Sequence, residues 1–139
     1  MGIVELDIDY RPGENEPFMN DKQQEYFRQK LENWKAEILR ESKSTIAVLQ
    51  DESDKLPDQA DRASSETDRS IELRARDRQR KLITKIDAAL KRIEEGSYGY
   101  CEETGEPISV KRLDARPIAT LSIEAQERHE RREKVYRDD

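Results

Sequence analysis

Phe27, Leu31, Trp34, Ile38, Thr45 and Leu49 recur at spacings of 4, 3, 4, 7 and 4. That rhythm is a heptad seam with one polar gap near Ser42. No Pro or Gly falls between Met19 and Leu56, and Asn20 or Asp21 can cap the start. A second seam runs through Ile71, Ala75, Arg78, Leu82, Ile86, Ala89 and Ile93, again in steps of three and four, and stops at Gly96, a residue suited to a helix C-terminus. Each predicted helix is roughly 30–35 residues, or roughly 45–50 Å at the α-helical rise. Pro57 ends the first, and Asp58 or Asp61 can cap the second. Two apolar stripes joined by a short connection predict an antiparallel coiled-coil hairpin over 21–95 with its tip at 56–63, because neither stripe is stable in water until it covers the other.

The grammar differs on either side of this hairpin. Residues 1–20 are acidic and carry Pro12, Gly13 and Pro17, which reads as an arm with little regular structure. Beyond Gly96, two turn signals lie in Ser97–Cys101 and Thr104–Pro107, Ile108-Ser109-Val110 alternates like a short strand, and Arg116-Pro117 breaks the chain again. Residues 120–137 carry Leu121, Glu124, Ala125, Arg128 and Arg132 in helical register. Residues 96–139 are therefore expected to form a small knob plus a C-terminal helix. Tyr98, Tyr100, Pro107, Ile108, Val110, Leu113, Ile118 and Leu121 are its candidate core. The fold class is mostly α.

Composition supports a rod over a thick core. The 139 residues are 42% charged and 33% hydrophobic, with a net charge of −6. Ala, Glu, Lys, Leu and Arg make up 65 of them, close to the roughly one-half that marks long helices. The longest apolar run, Ile46–Leu49, is far short of a membrane span, and the acidic start lacks the apolar stretch of a signal peptide, so a cytoplasmic protein is expected. Leu6 sits where myristoylation of Gly2 would want Ser or Thr. One cysteine forbids an intramolecular disulfide.

Three places could carry chemistry. At the tip, Asp58 and Asp61 follow Asp51, Glu52 and Asp54. Carboxylates at the end of a long rod can reach a Mg²⁺ or a basic group deep in a partner, although both also serve as loop formers and caps, and the two roles are compatible. In Arg74-Ala75-Arg76-Asp77-Arg78-Gln79-Arg80-Lys81, five of eight residues are basic. Helical spacing is expected to spread them around the rod as a solvated flank with pairs such as Glu72–Arg76 and Asp77–Lys81; the sharper reading is docking to an acidic rim or to phosphates. A pI near 5.1 and the absence of interleaved aromatics argue against direct DNA binding. In the knob, Cys101 and Thr104, then Ser122 and Ala125 after seventeen intervening residues, keep the frame of a C-x2-C-x17-C-x2-C zinc ribbon with three thiolates missing. Hydroxyls are poor zinc ligands and a methyl is none, so no zinc is expected, and Thr104 and Ser122 should bond to backbone instead. Cys101 is expected to be buried or inert, since Glu102 and Glu103 beside it would raise a thiol pKa. His129 is expected to be exposed. No Ser/His/Asp set, P-loop or dinucleotide motif is present, so nothing points to an enzyme.

Four stretches together are specific: Leu56-Pro57-Asp58-Gln59-Ala60-Asp61-Arg62-Ala63, Glu72-Leu73-Arg74-Ala75-Arg76-Asp77-Arg78, Tyr98-Gly99-Tyr100-Cys101-Glu102 and Arg112-Leu113-Asp114-Ala115-Arg116-Pro117. On these the sequence resembles the DksA/TraR family of RNA polymerase regulators over roughly residues 10–137, in its zinc-independent branch. The resemblance implies a monomer that binds RNA polymerase, not DNA, inserts its hairpin through the secondary channel and remodels promoter complexes, with the alarmone ppGpp as shared effector. By matched position, Asp61 and Ala63 would act at the tip with Asp58 assisting. Arg78 would contact the polymerase rim, and Leu82, Lys85 and Arg116 would help form the ppGpp pocket. Gln126 stands where many relatives carry a Lys, and an amide offers phosphate a hydrogen bond without a charge. A helical adaptor that pairs its rod with another coiled coil is the reading from a different class. A polymerase cleavage factor of the Gre type would share the hairpin and acidic tip, but the ribbon-like base argues against it.

Overall fold

The computed structural model describes the backbone of residues 4–55 and 59–138, and the side chains of residues 4–43 and 66–135. It contains α1 (Asp21–Lys55), α2 (Gln59–Glu95), α3 (Val110–Ala115) and α4 (Ile123–Asp138). Contacts divide the chain into a middle unit, Glu32–Asp87, and a terminal unit, Met1–Leu31 with Ala88–Asp139. No described helix is long and apolar enough to cross a membrane.

In the middle unit α1 and α2 run antiparallel. Lys35 pairs with Asp87 at 2.7 Å, and seven residues further along α1 the Ser42 hydroxyl donates to Gln79 Oε1 at 2.9 Å, eight residues back along α2. Ser42 is the polar gap of the first seam, and Gln79 closes it with a hydrogen bond. Ile38 and Ile86 are buried, and Trp34, Leu82 and Ile83 are half-buried. The second seam differs from its predicted course at one end. Ile71 is 56% exposed and Arg78 is also exposed, while Ala75, Gln79, Leu82 and Ile86 face inward. The two helices meet along a track rotated away from Ile71 and Arg78. Asp77 and Lys81 form the expected pair at 3.2 Å; Glu72 and Arg76 form none among the described residues.

The terminal unit holds the larger core. Phe27 and Leu31 of α1 and Ala89 and Ile93 of α2 are buried together with Tyr98, Ile108, Val110, Leu113 and Ile118. Phe27 and Tyr98 lie 5.6 Å apart between ring centroids, and the Tyr98 hydroxyl donates to the Pro117 carbonyl at 2.7 Å. Each fully buried side chain of this size contributes about 1.5–3 kcal/mol. Tyr100 and Pro107 are exposed rather than core, and Leu121 is half-buried.

Two local features set the knob. Gly96 adopts φ +80° and ends α2, with Ser97 N–H returning to the Arg92 carbonyl at 2.9 Å. Ile108–Val110 is not a strand. Ser109 caps α3 by accepting from Arg112 N–H, so Val110 is its first residue, and burial of Val110 and Leu113 three positions apart sets a helical period. Of the expected ribbon only an isolated antiparallel bridge, Tyr100 to Pro107, is present among the described residues.

The arm is folded onto this unit. Asn20 is the cap of α1, its Oδ1 accepting from Gln23 N–H at 2.8 Å. Gln23 is fully buried and ties the arm down: its amide donates to the Gly13 carbonyl and Glu16 Oε2, and its oxygen accepts from Met19 N–H. Met19 has a left-handed φ of +52°. Phe18 lies over Gly99, at 5.3 Å from the Tyr100 ring.

Candidate functional site

The tip residues lie largely outside what is described. Asp58 falls outside the described residues. Asp61 and Ala63 belong to the first turns of α2, with their side chains outside the described set.

The α2 face beyond the tip is described. Arg78 and Lys85 are exposed, and Leu82 between them is half-buried. Seven residues separate the two cations, so they share one side of the helix about 10 Å apart along its axis. Arg74 is exposed too and precedes Arg78 by one turn. Arg74, Arg78 and Lys85 share a side, and Arg76 and Arg80 fall on the other, so the basic residues go around the rod as their spacing predicts. Arg76 is half-buried. Asp77 draws Arg80 to 2.6 Å and Lys81 to 3.2 Å, and these contacts hold its carboxyl below the usual carboxylate range.

Arg116 belongs to the terminal unit. It caps the C-terminus of α3, its N–H donating to the Arg112 carbonyl at 2.8 Å, and its side chain is exposed. Gln126, half-buried on α4, donates to Glu130 at 3.2 Å.

Cys101, Thr104, Ser122 and Ala125 share one site. Cys101 is 2% exposed. Burial pushes its thiol up, but hydrogen bonds from the Ser122 amide, the Thr104 hydroxyl and amide, and the Glu103 amide outweigh it and bring the thiol down to about 6. That lowering was not expected from the neighbouring glutamates: main-chain amides and the Thr104 hydroxyl surround the sulfur, and the Glu103 carboxylate turns to Arg128 and His129 of α4. Thr104 Oγ1 accepts from Glu106 N–H and Ser122 Oγ from Ala125 N–H, each at 3.2 Å. Ser122 is thereby the cap of α4, and Ala125 buries its methyl completely. A structural zinc needs four strong donors, usually thiolates or imidazoles. This site offers one sulfur, two hydroxyls held by main-chain amides, and a methyl, so its residues do not fit zinc. No cluster of three His, Cys, Asp or Glu able to hold a metal exists among the described residues. His129 is not simply solvated: with Arg128 it faces Glu103, which links α4 to the loop after Cys101.

One cluster has no counterpart among the motifs of the sequence. Asp114 on α3 accepts from Tyr26 and Lys30 of α1 at 2.5 and 2.6 Å, and Lys30 also reaches the Asp114 carbonyl. Its only signal was the position of Asp114 inside the Arg112–Pro117 stretch, where a carboxylate follows a core leucine.

Comparison with known proteins covers nearly the same span. Residues 23–93 match the family described as DnaK suppressor protein DksA, N-terminal domain, and residues 96–131 match the prokaryotic dksA/traR C4-type zinc finger. The latter match keeps one of the four cysteines its description implies. A Caulobacter vibrioides protein named RNA polymerase-binding transcription factor DksA is 72% identical over 131 residues, 94% of this chain and 92% of its own. The Escherichia coli protein of the same name is 45% identical over 124 residues, 89% of this chain and 81% of its own. The solved structure of transcription factor DksA2 from Pseudomonas aeruginosa aligns with a TM-score of 0.79 at 44% identity, covering 84% of this chain and 90% of that one.

Proposed function

The chain belongs to the DksA family, and on that footing we propose that it is a non-enzymatic transcription regulator that binds RNA polymerase through the secondary channel. The observation that carries this reading is the 72% identity, over 94% of the chain, to a protein named for RNA polymerase binding. In this proposal the hairpin reaches the polymerase active-site region. Asp61 and Ala63 act there with Asp58 assisting, and Arg78 contacts the polymerase rim. Leu82, Lys85 and Arg116 contribute to binding ppGpp, the shared effector. The physical requirements suit this chain: a narrow channel admits a stiff pair of helices with a short polar end, and exposed cations on α2 suit a rim of opposite charge.

The test is in vitro transcription from a ribosomal RNA promoter with purified polymerase, comparing wild type with Asp61→Asn, each with and without ppGpp. Wild type should inhibit and Asp61→Asn should not, while both bind polymerase equally. If wild type neither binds polymerase nor alters transcription, the reading fails. The ppGpp lanes report on Gln126, whose neutral amide should give a weaker response than a Gln126→Lys variant.

A further inference from the structure

α3 is six residues long, too short a helix to hold itself, so what grips it decides where its ends lie. Arg116 follows it directly. The Arg116 N–H donates to the Arg112 carbonyl at 2.8 Å, and the Arg116 carbonyl accepts from Ala119 N–H at 3.0 Å. Pro117 disfavours helical backbone in the residue before it, and Arg116 leaves the helix with φ −141° and ψ 84°. One residue on, the Pro117 carbonyl accepts from the buried Tyr98 hydroxyl at 2.7 Å. Two residues back, Asp114 is gripped from α1: Tyr26 and Lys30 both donate to its carboxylate, and Lys30 also donates to its carbonyl. Arg116 therefore has a fixed main chain and an exposed side chain with no ion pair among the described residues.

A part-exposed ion pair adds only modest stability. Three bonds that converge on the carboxylate and carbonyl of one residue do something else: they fix its place. Guanidinium–phosphate contacts are directional and often bidentate, so they depend on where the arginine starts. An anchored main chain also lowers the ordering cost of binding. We infer that Tyr26, Lys30 and Asp114 are positioning residues for ppGpp: by pinning α3 to α1 they hold Arg116 where its guanidinium meets a phosphate of the effector. This rests on the ppGpp reading above. Lys30 is committed to Asp114 and acts through it.

The test is binding of labelled ppGpp to purified core RNA polymerase saturated with the full chain. Polymerase alone is the blank, and circular dichroism shows each variant folded at the assay temperature. Arg116→Ala should weaken ppGpp about tenfold or more, the loss of charge-assisted hydrogen bonds. Lys30→Met and Asp114→Asn should each weaken it about 3- to 10-fold, the range of coupling within one hydrogen-bonded network. In an Arg116→Ala background the same two changes should alter ppGpp affinity by less than about twofold, because no guanidinium is left to position. A latch that only stabilised the knob would keep its effect there. If Arg116→Ala weakens ppGpp but the Lys30 and Asp114 variants match wild type, or weaken it equally with and without Arg116, the inference is overturned and the ppGpp reading stands. If wild type adds no ppGpp binding to polymerase, or Arg116→Ala matches wild type, the failure belongs to that reading and the inference falls with it.

Discussion

Tyr26 donates a 2.5 Å hydrogen bond to Asp114 across 88 residues of sequence. Lys30, one turn along α1, adds an ion pair at 2.6 Å and a bond to the Asp114 carbonyl at 2.7 Å. The ammonium also lies 5.7 Å from the Tyr26 ring centroid. Together they fasten α3, and with it the Arg116 cap, to α1.

Burial pushes the Asp114 carboxyl up, but the Lys30 ammonium and Tyr26 hydroxyl outweigh it and hold it below the usual carboxylate range. A depressed carboxylate stabilises the fold fully above its unfolded pKa of about 3.9, and that contribution fades as pH falls through the lower folded value. Asp114→Asn should therefore melt several degrees below wild type at pH 7, with the gap narrowing toward pH 3. Tyr26→Phe should cost about 0.5–1.5 kcal/mol, the usual net worth of one hydrogen bond. Thermal melts across this pH range decide it; a gap that stays constant would show that the Asp114 charge contributes nothing.

Gly99→Ala should be destabilising by about 1–2 kcal/mol, the usual penalty for an L-residue in left-handed backbone. Gly99 has φ +94°, and a Cβ there would meet Phe18 Cζ at 3.0 Å. Chemical denaturation gives the loss. A second readout is faster amide exchange around Phe18 and Met19, because the added methyl pushes the arm outward.

Gln23→Ala should leave the Met19 N–H and the Gly13 carbonyl without their partner. Unsatisfied buried polar groups cost about 1–3 kcal/mol. The expected result is loss of protection in residues 13–19 by hydrogen exchange, with the heptad region of α1 and α2 unaffected. Equal protection in wild type and variant would remove Gln23 as the anchor of the arm.

Chelation should not move the melting temperature, because the Cys101, Thr104, Ser122 and Ala125 set supplies no metal-binding energy to the fold. Elemental analysis of the purified chain should find no stoichiometric zinc. Cys101, although its thiol is brought down to about 6, is 2% exposed. A thiol reagent should therefore react at a rate set by opening of the knob. Rapid labelling of the native protein would contradict this.

The helix limits were legible in the residues because their causes are local. Asn20 caps α1 with its own side chain, Gly96 supplies the left-handed turn after α2, and spacings of three and four mark a buried face wherever the helix lies. The missing thiolates at 104, 122 and 125 were equally plain, since ligand chemistry belongs to side-chain identity. Other features depended on neighbours distant in sequence. A helix of 3.6 residues per turn drifts against a seven-residue repeat, so the packing of α1 on α2 settled that Ile71 and Arg78 turn outward while Gln79 meets Ser42. A three-residue apolar alternation fits strand or helix equally well, and burial of Val110 and Leu113 beneath a Ser109 cap selected the helix. The amides that surround Cys101 come from two chain segments, so its lowered thiol pKa is a property of the folded knob. Tyr26, Lys30 and Asp114 have no sequence pattern that pairs them, because a side-chain contact between distant elements exists only once both are packed on one core.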